Sequence, residues 1–182
     1  RYVREMVKIP STSNTETEKS CADYIAEELA KQPYFKEYPE QTGKYLLPED
    51  SFGRSVPWGL VKGRNGSRKT IILTGHYDVV DTEEYGNERA LAYDVEKWEN
   101  LVKSGNALPG MPEEVKEDFL SGEWMFGRGT ADMKGGLSVG LALLDWYGKL
   151  VVEAERKDCG TAAFETKTAS GTEETPEISG NL

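Results

Sequence analysis

A chain of 182 residues, 37% hydrophobic and 10% aromatic, is long enough for one domain with a core of its own. Thirty-two acidic against 22 basic residues leave a net charge of −10, and no stretch gathers Lys and Arg, which argues against a nucleic-acid groove or an anionic membrane surface. Cys21 and Cys159 lie far apart without Cys-x-x-Cys spacing, which indicates neither a disulfide framework nor a thiolate zinc site and fits a reducing cytoplasm.

No apolar run approaches the roughly 20 residues of a membrane helix, and the first residues lack the order of a signal peptide. The chain opens at Arg1 inside a helical pattern and stops at Leu182 just after a turn signal. Both ends read as cut, so an amino-terminal fragment is expected.

Tyr2, Val3, Met6 and Val7 recur at helical spacing and Ile9-Pro10 closes them off, which predicts a short helix. Thr15 with Glu18 is a capping-box pattern ahead of Cys21, Ala22, Ile25, Ala26 and Leu29, an amphipathic helix suited to cover a sheet. Residues 33–57 read as irregular. A strand is predicted over 58–62, a tight turn at Asn65-Gly66, and a second strand over 70–74. The second strand has no polar alternation, as if buried on both faces between helices.

Residues 81–121 form an acidic excursion with two helices. One spans 94–104 with Val95, Trp98, Leu101 and Val102 as its stripe; the other starts near Pro112 and carries Val115, Phe119 and Leu120. Charge runs such as Glu113-Glu114 read as solvated faces. Trp124-Met125-Phe126 reads as a short strand entering Gly127 and Gly129. The helix that follows carries Leu137, Val139, Leu141, Leu143, Leu144, Trp146 and Tyr147 on nearly all sides, which predicts an interior helix. From Val151 the apolar pattern fades, and 161–179 is rich in Thr, Glu, Ser, Ala and Gly, as in a surface insertion or disordered loop.

The chemistry concentrates in two places. His76, the only histidine, lies in Thr74-Gly75-His76-Tyr77-Asp78 just after the second strand. On an extended chain, positions two apart point the same way, so Asp78 can hold one ring nitrogen and fix the tautomer. Asp132 stands at the mouth of the glycine-rich stretch from Gly127 to Gly136, where a helix begins. His76 and Asp132 together read as half of a metal site. A hydrogen-bonded structural His–carboxylate pair, with Asp78 as a turn cap, is the plainer alternative. A phosphate cradle is disfavoured, because Asp132 occupies the third-glycine position of Gly-x-Gly-x-x-Gly and a carboxylate there repels phosphate.

These two motifs resemble the zinc-dependent aminoacylase, glutamate carboxypeptidase and succinyl-diaminopimelate desuccinylase family of metallopeptidases. The wording from Ser121 to Gly129 and the long stretch between the motifs look most like the arginine-utilisation RocB branch. The resemblance covers most of Tyr2 to Tyr147, and Ser179-Gly180-Asn181-Leu182 is similar to the lead-in to the family's next core strand. It implies an α/β fold, the three-layer helix-sheet-helix catalytic domain of a zinc exopeptidase. Residues 1–150 would form its amino-terminal part, 151–178 a polar insertion or disordered loop, and 179–182 the start of the next strand. The lid and dimerisation domain would be absent.

Carried over residue by residue, the resemblance makes His76 a ligand of one zinc, Asp132 a bridge between two, and Asp78 the catalytic-site residue that orients His76. It also implies a cis peptide bond between Asp132 and Met133. Manganese or cobalt could replace zinc at such ligands. The implied reaction is hydrolysis of an amide bond in a small peptide or N-acyl amino acid, in arginine catabolism, by a cytoplasmic homodimer. No nucleic-acid or membrane partner is expected. The family's general base, the first Glu of a Glu-Glu pair, would fall beyond Leu182 with the remaining ligands. Glu173-Glu174 lacks a preceding strand and is a poor substitute. A chain with so few ligands is expected to be inactive alone. A non-catalytic family member acting as a binding protein is the alternative.

Overall fold

The computed structural model describes residues 1–105 and 110–168, with side chains described through 158. The chain starts with α1 (Tyr2–Lys8), which ends where Ile9 turns extended ahead of Pro10, its N–H donating to the Met6 carbonyl at 3.1 Å. Helix α2 (Thr17–Lys31) buries Cys21, Ala22, Ile25 and Leu29 along one stripe. The expected capping box is displaced by one residue: Glu18 Oε1 accepts from the Asn14 N–H at 2.6 Å. A single turn, α3 (Pro33–Glu37), carries Tyr34 and Phe35 into the same core.

An antiparallel hairpin of β1 (Thr42–Leu46) and β2 (Ser55–Gly59) follows, in register from Thr42↔Gly59 to Leu46↔Ser55. This corrects two expectations. The strand expected over 58–62 begins at Ser55 instead, and its partner lies in a stretch read as irregular. Pro57 obscured both; a two-stranded sheet has only edges, where proline is tolerated.

A 3₁₀ segment (Glu83–Tyr93) leads to α4 (Val95–Ser104) and then α5 (Glu113–Ser121), both close to expectation. The long helix α6 (Lys134–Thr168) completes the described chain. The main core gathers Met6, Ile25, Leu29, Phe35, Leu141 and Val152 from α1, α2, α3 and α6. A second cluster joins Leu91, Trp98 and Phe119, with Phe126 packed against it.

The described residues are thus mainly helical with one small sheet, compatible with an α/β class. No sheet sandwiched between helices appears among them. Residues 70–74 form no strand, and Ile71 and Ile72 are 88% and 80% exposed. Apolar composition favours a buried strand only when neighbours supply a ladder, and the ladder among the described residues is β1 with β2. Trp124-Met125-Phe126 is likewise a loop, with Phe126 turned into the second cluster rather than paired.

Helix α6 departs from an interior helix. Leu141 and Val152 are buried, whereas Val139, Trp146, Tyr147 and Leu150 face solvent. It also continues through 151–168, where the fading pattern suggested an insertion. The remainder of that insertion, Glu173-Glu174 and the strand at 179–182 lie outside the described residues. No described helix is long and apolar enough to cross a membrane.

Tyr24 on α2 gives the fold a pH signature. Its hydroxyl is buried without a hydrogen-bond partner. Burial, reinforced by the Glu28 and Glu5 carboxylates, pushes its pKa from 10.0 up to about 12. A raised folded pKa leaves the tyrosine's contribution whole below 10.0 and removes it as pH climbs through about 12. The Tyr24→Phe variant is expected to lose stability less steeply over that window. Thermal midpoints measured across alkaline pH check this, and identical slopes in variant and wild type would refute it.

Candidate metal centre

His76 and Asp132 come from loops 56 residues apart and meet. His76 Nε2 stands 3.0 Å from Asp132 Oδ1. On the ring's other side, Nδ1 lies 3.0 Å from the Asp78 carbonyl oxygen and 3.3 Å from Asp78 Oδ1. One carboxylate therefore faces each ring nitrogen. Asp78 lies on the Nδ1 side of the ring and Asp132 on the Nε2 side, with the Asp132 side chain 87% exposed. The peptide bond between Asp132 and Met133 is cis.

The backbone around Asp132 is shaped by close approach. Gly129 has φ +82°, and a Cβ there would stand 2.8 Å from Val79 Cγ1, so the turn needs glycine for both conformation and space. The Lys134 N–H donates to the Gly129 carbonyl at 2.9 Å, which starts α6 two residues after Asp132. Arg128 anchors the other flank: its N–H donates to the Ala92 carbonyl at 2.6 Å and its guanidinium pairs with Glu84.

Two residues near the pair were not anticipated. Ser13 Oγ donates to Asp78 Oδ2 at 2.7 Å, on the carboxylate oxygen that does not face His76. Lys134 is fully buried, and its Nζ donates to the carbonyls of Met6 at 3.0 Å and Ile9 at 2.7 Å. Burial holds its pKa below the usual lysine range. Ser13 sits in a polar stretch and Lys134 in a glycine-rich motif; neither carries a local signal of such a role.

For the His76 imidazole, burial pulls the pKa down, but the Asp78 carbonyl and the Asp132 carboxylate outweigh it and hold the pKa above 6.5. Two ligands about 2.0–2.1 Å from a zinc ion stand about 3.3 Å apart at a tetrahedral angle. The 3.0 Å between Nε2 and Oδ1 is within a few tenths of an ångström of that spacing. An imidazole nitrogen backed by a carboxylate, opposite a second, exposed carboxylate, is a donor set that suits a divalent cation. Among the described residues no group of three or more His, Cys, Asp or Glu side chains forms a complete metal-binding cluster.

The chain is 35% identical to protein RocB of Bacillus subtilis (strain 168) over 139 residues, 76% of this chain. It is a RocB-related sequence. The uncharacterized protein YqjN of the same organism is 38% identical over 141 residues, 77% of this chain. The RocB-related stretch spans only 24% of the length of either relative. No protein-family model matches the chain, and no solved structure does.

Proposed function

We propose that this chain carries the first part of the metal site of a hydrolase that cleaves an amide bond in a small peptide or N-acyl amino acid. The observation that carries this is the convergence of His76 Nε2 and Asp132 Oδ1 at 3.0 Å, with Asp78 on the far side of the ring. His76 would hold one zinc ion and Asp132 would bridge to a second, with manganese or cobalt as chemically acceptable replacements. Bound metal supplies a water of lowered pKa and polarises the scissile carbonyl. The residues of this chain would present and orient ligands: Asp78, facing Nδ1, would leave Nε2 free to ligate a metal. The general base, the other ligands and substrate contacts are assigned to the remainder of the full-length protein, read as a cytoplasmic homodimer. The likeness to RocB supports a setting in arginine catabolism for this reading.

The test is amide hydrolysis by the full-length protein. Activity is expected to vanish on chelation and to return when zinc is restored. Hydrolysis that persists in chelator would overturn the metal reading. The alternative reading is a non-catalytic binding protein. Ligand binding without turnover at full metal occupancy would favour that alternative.

A further inference from the structure

We propose that the segment from Met6 to Ser13 is a splint that sets the His76–Asp132 geometry, with Ser13 and Lys134 as its two positioning residues. Among the described residues, one hydrogen bond joins 74–79 to 127–136, the His76–Asp132 pair itself. Each side is instead fastened to 6–13. On the His76 side, Ser11 Oγ donates to the Tyr77 carbonyl at 2.6 Å, the Val79 N–H to the Ser11 carbonyl at 2.8 Å, and the Ser13 N–H to the Val79 carbonyl at 2.9 Å. These bonds, centred on an isolated parallel bridge between Thr12 and Val79, bring Ser13 Oγ to Asp78 Oδ2 at 2.7 Å.

The Asp132 side is fastened by Lys134. Its stem runs under Gly129, where a Cβ would stand 3.1 Å from Lys134 Cδ, and its ammonium ends on the Met6 and Ile9 carbonyls. A buried lysine is rare unless its donors are satisfied. Here the acceptors are backbone atoms at the end of α1, so moving that end moves the start of α6 with it.

Ser13 acts through Asp78. With one Asp78 oxygen taken by the Ser13 hydroxyl, the other is left to face His76 Nδ1 at 3.3 Å, and the carboxylate cannot rotate freely. Asp78 offers Nδ1 two acceptors, its carbonyl oxygen at 3.0 Å and Oδ1 at 3.3 Å, and so favours hydrogen on Nδ1 against the pull of Asp132 Oδ1 on a hydrogen at Nε2, the atom that would ligate a metal. Removal of the hydroxyl loosens Asp78 and the ring together.

The functional consequence rests on the metal-site reading above; the positioning does not. The full-length protein is therefore examined in two ways. The first is the pair of ring nitrogen-15 resonances of His76 at alkaline pH, assigned by their loss in His76→Gln. The second is zinc affinity, by competition with a chromophoric chelator. Wild type is expected to show a larger fraction of the Nδ1–H tautomer than Ser13→Ala, and Ser13→Thr, which keeps the hydroxyl, the wild-type fraction. Ser13→Ala and Lys134→Met are each expected to weaken zinc binding by about 10- to 100-fold. A change in tautomer with no zinc binding by wild type would sink the metal reading and support the splint. Wild-type tautomer and zinc affinity in folded Ser13→Ala would overturn the splint. If Ser13→Ala does not fold, wild-type zinc affinity in Lys134→Met overturns it.

Discussion

His76→Ala is expected to lower amide hydrolysis by the full-length protein more than about 100-fold, because a direct ligand should cost at least as much as the residues that orient one. The imidazole side chain is 48% exposed and belongs to neither buried cluster. Its loss is therefore expected to leave the thermal midpoint of the metal-free protein nearly unchanged, as for most surface substitutions. Activity and stability part company at this position. Asp132→Asn retains an oxygen facing Nε2 but removes the charge that the proposed bridge between two cations requires, so a comparable loss is expected. Asp78→Asn keeps the backbone carbonyl 3.0 Å from Nδ1 and is expected to lose less. Steady-state hydrolysis alongside metal content per chain checks the series. A His76→Ala protein with full activity would remove the metal reading.

The same histidine sets a pH trend. Only the neutral ring can ligate a metal. Because Asp78 and Asp132 hold its pKa above 6.5 despite burial, protons begin to compete for Nε2 at a higher pH than for an ordinary imidazole.

Legibility in the sequence followed the range of the forces involved. Helices α1, α2, α4 and α5 were readable because their determinants are local. Ile9-Pro10 stops α1, Asp94 Oδ1 caps α4 by accepting from the Lys97 N–H at 2.9 Å, and Pro112 precedes α5. The hairpin was not readable, since both strands are chosen by packing against α2, with Phe35 of α3 reaching to within 2.7 Å of where a Cβ on Gly59 would stand. Residues 70–74 show the converse, strand-like composition without a ladder partner among the described residues. In the candidate site, the sequence brings His76, Asp78 and Asp132 forward through motifs that resemble a known family, and the structure brings the three together. Ser13 and Lys134 act through backbone carbonyls and a neighbouring carboxylate, contacts that only the folded chain creates.

Phe35→Ala is expected to destabilise the chain by about 3–5 kcal/mol, the usual cost of emptying a buried aromatic site. Phe35 is 1% exposed and meets Tyr34 edge to face at 5.3 Å between ring centroids. It fills the junction of α2, α3 and β2, with Leu29 and Gly59 on either side. Collapse into the cavity is restricted on the strand side, because Gly59 has no side chain to move in and its backbone is tied by pairing with Thr42. A cavity that cannot close costs the upper part of the range. That would remove a third or more of a typical stability of about 5–15 kcal/mol. Urea unfolding of wild type and variant at matched slope measures the difference. A loss below about 1 kcal/mol, less than Ile→Val costs in many cores, would mean that Phe35 does not anchor the hairpin to the helices.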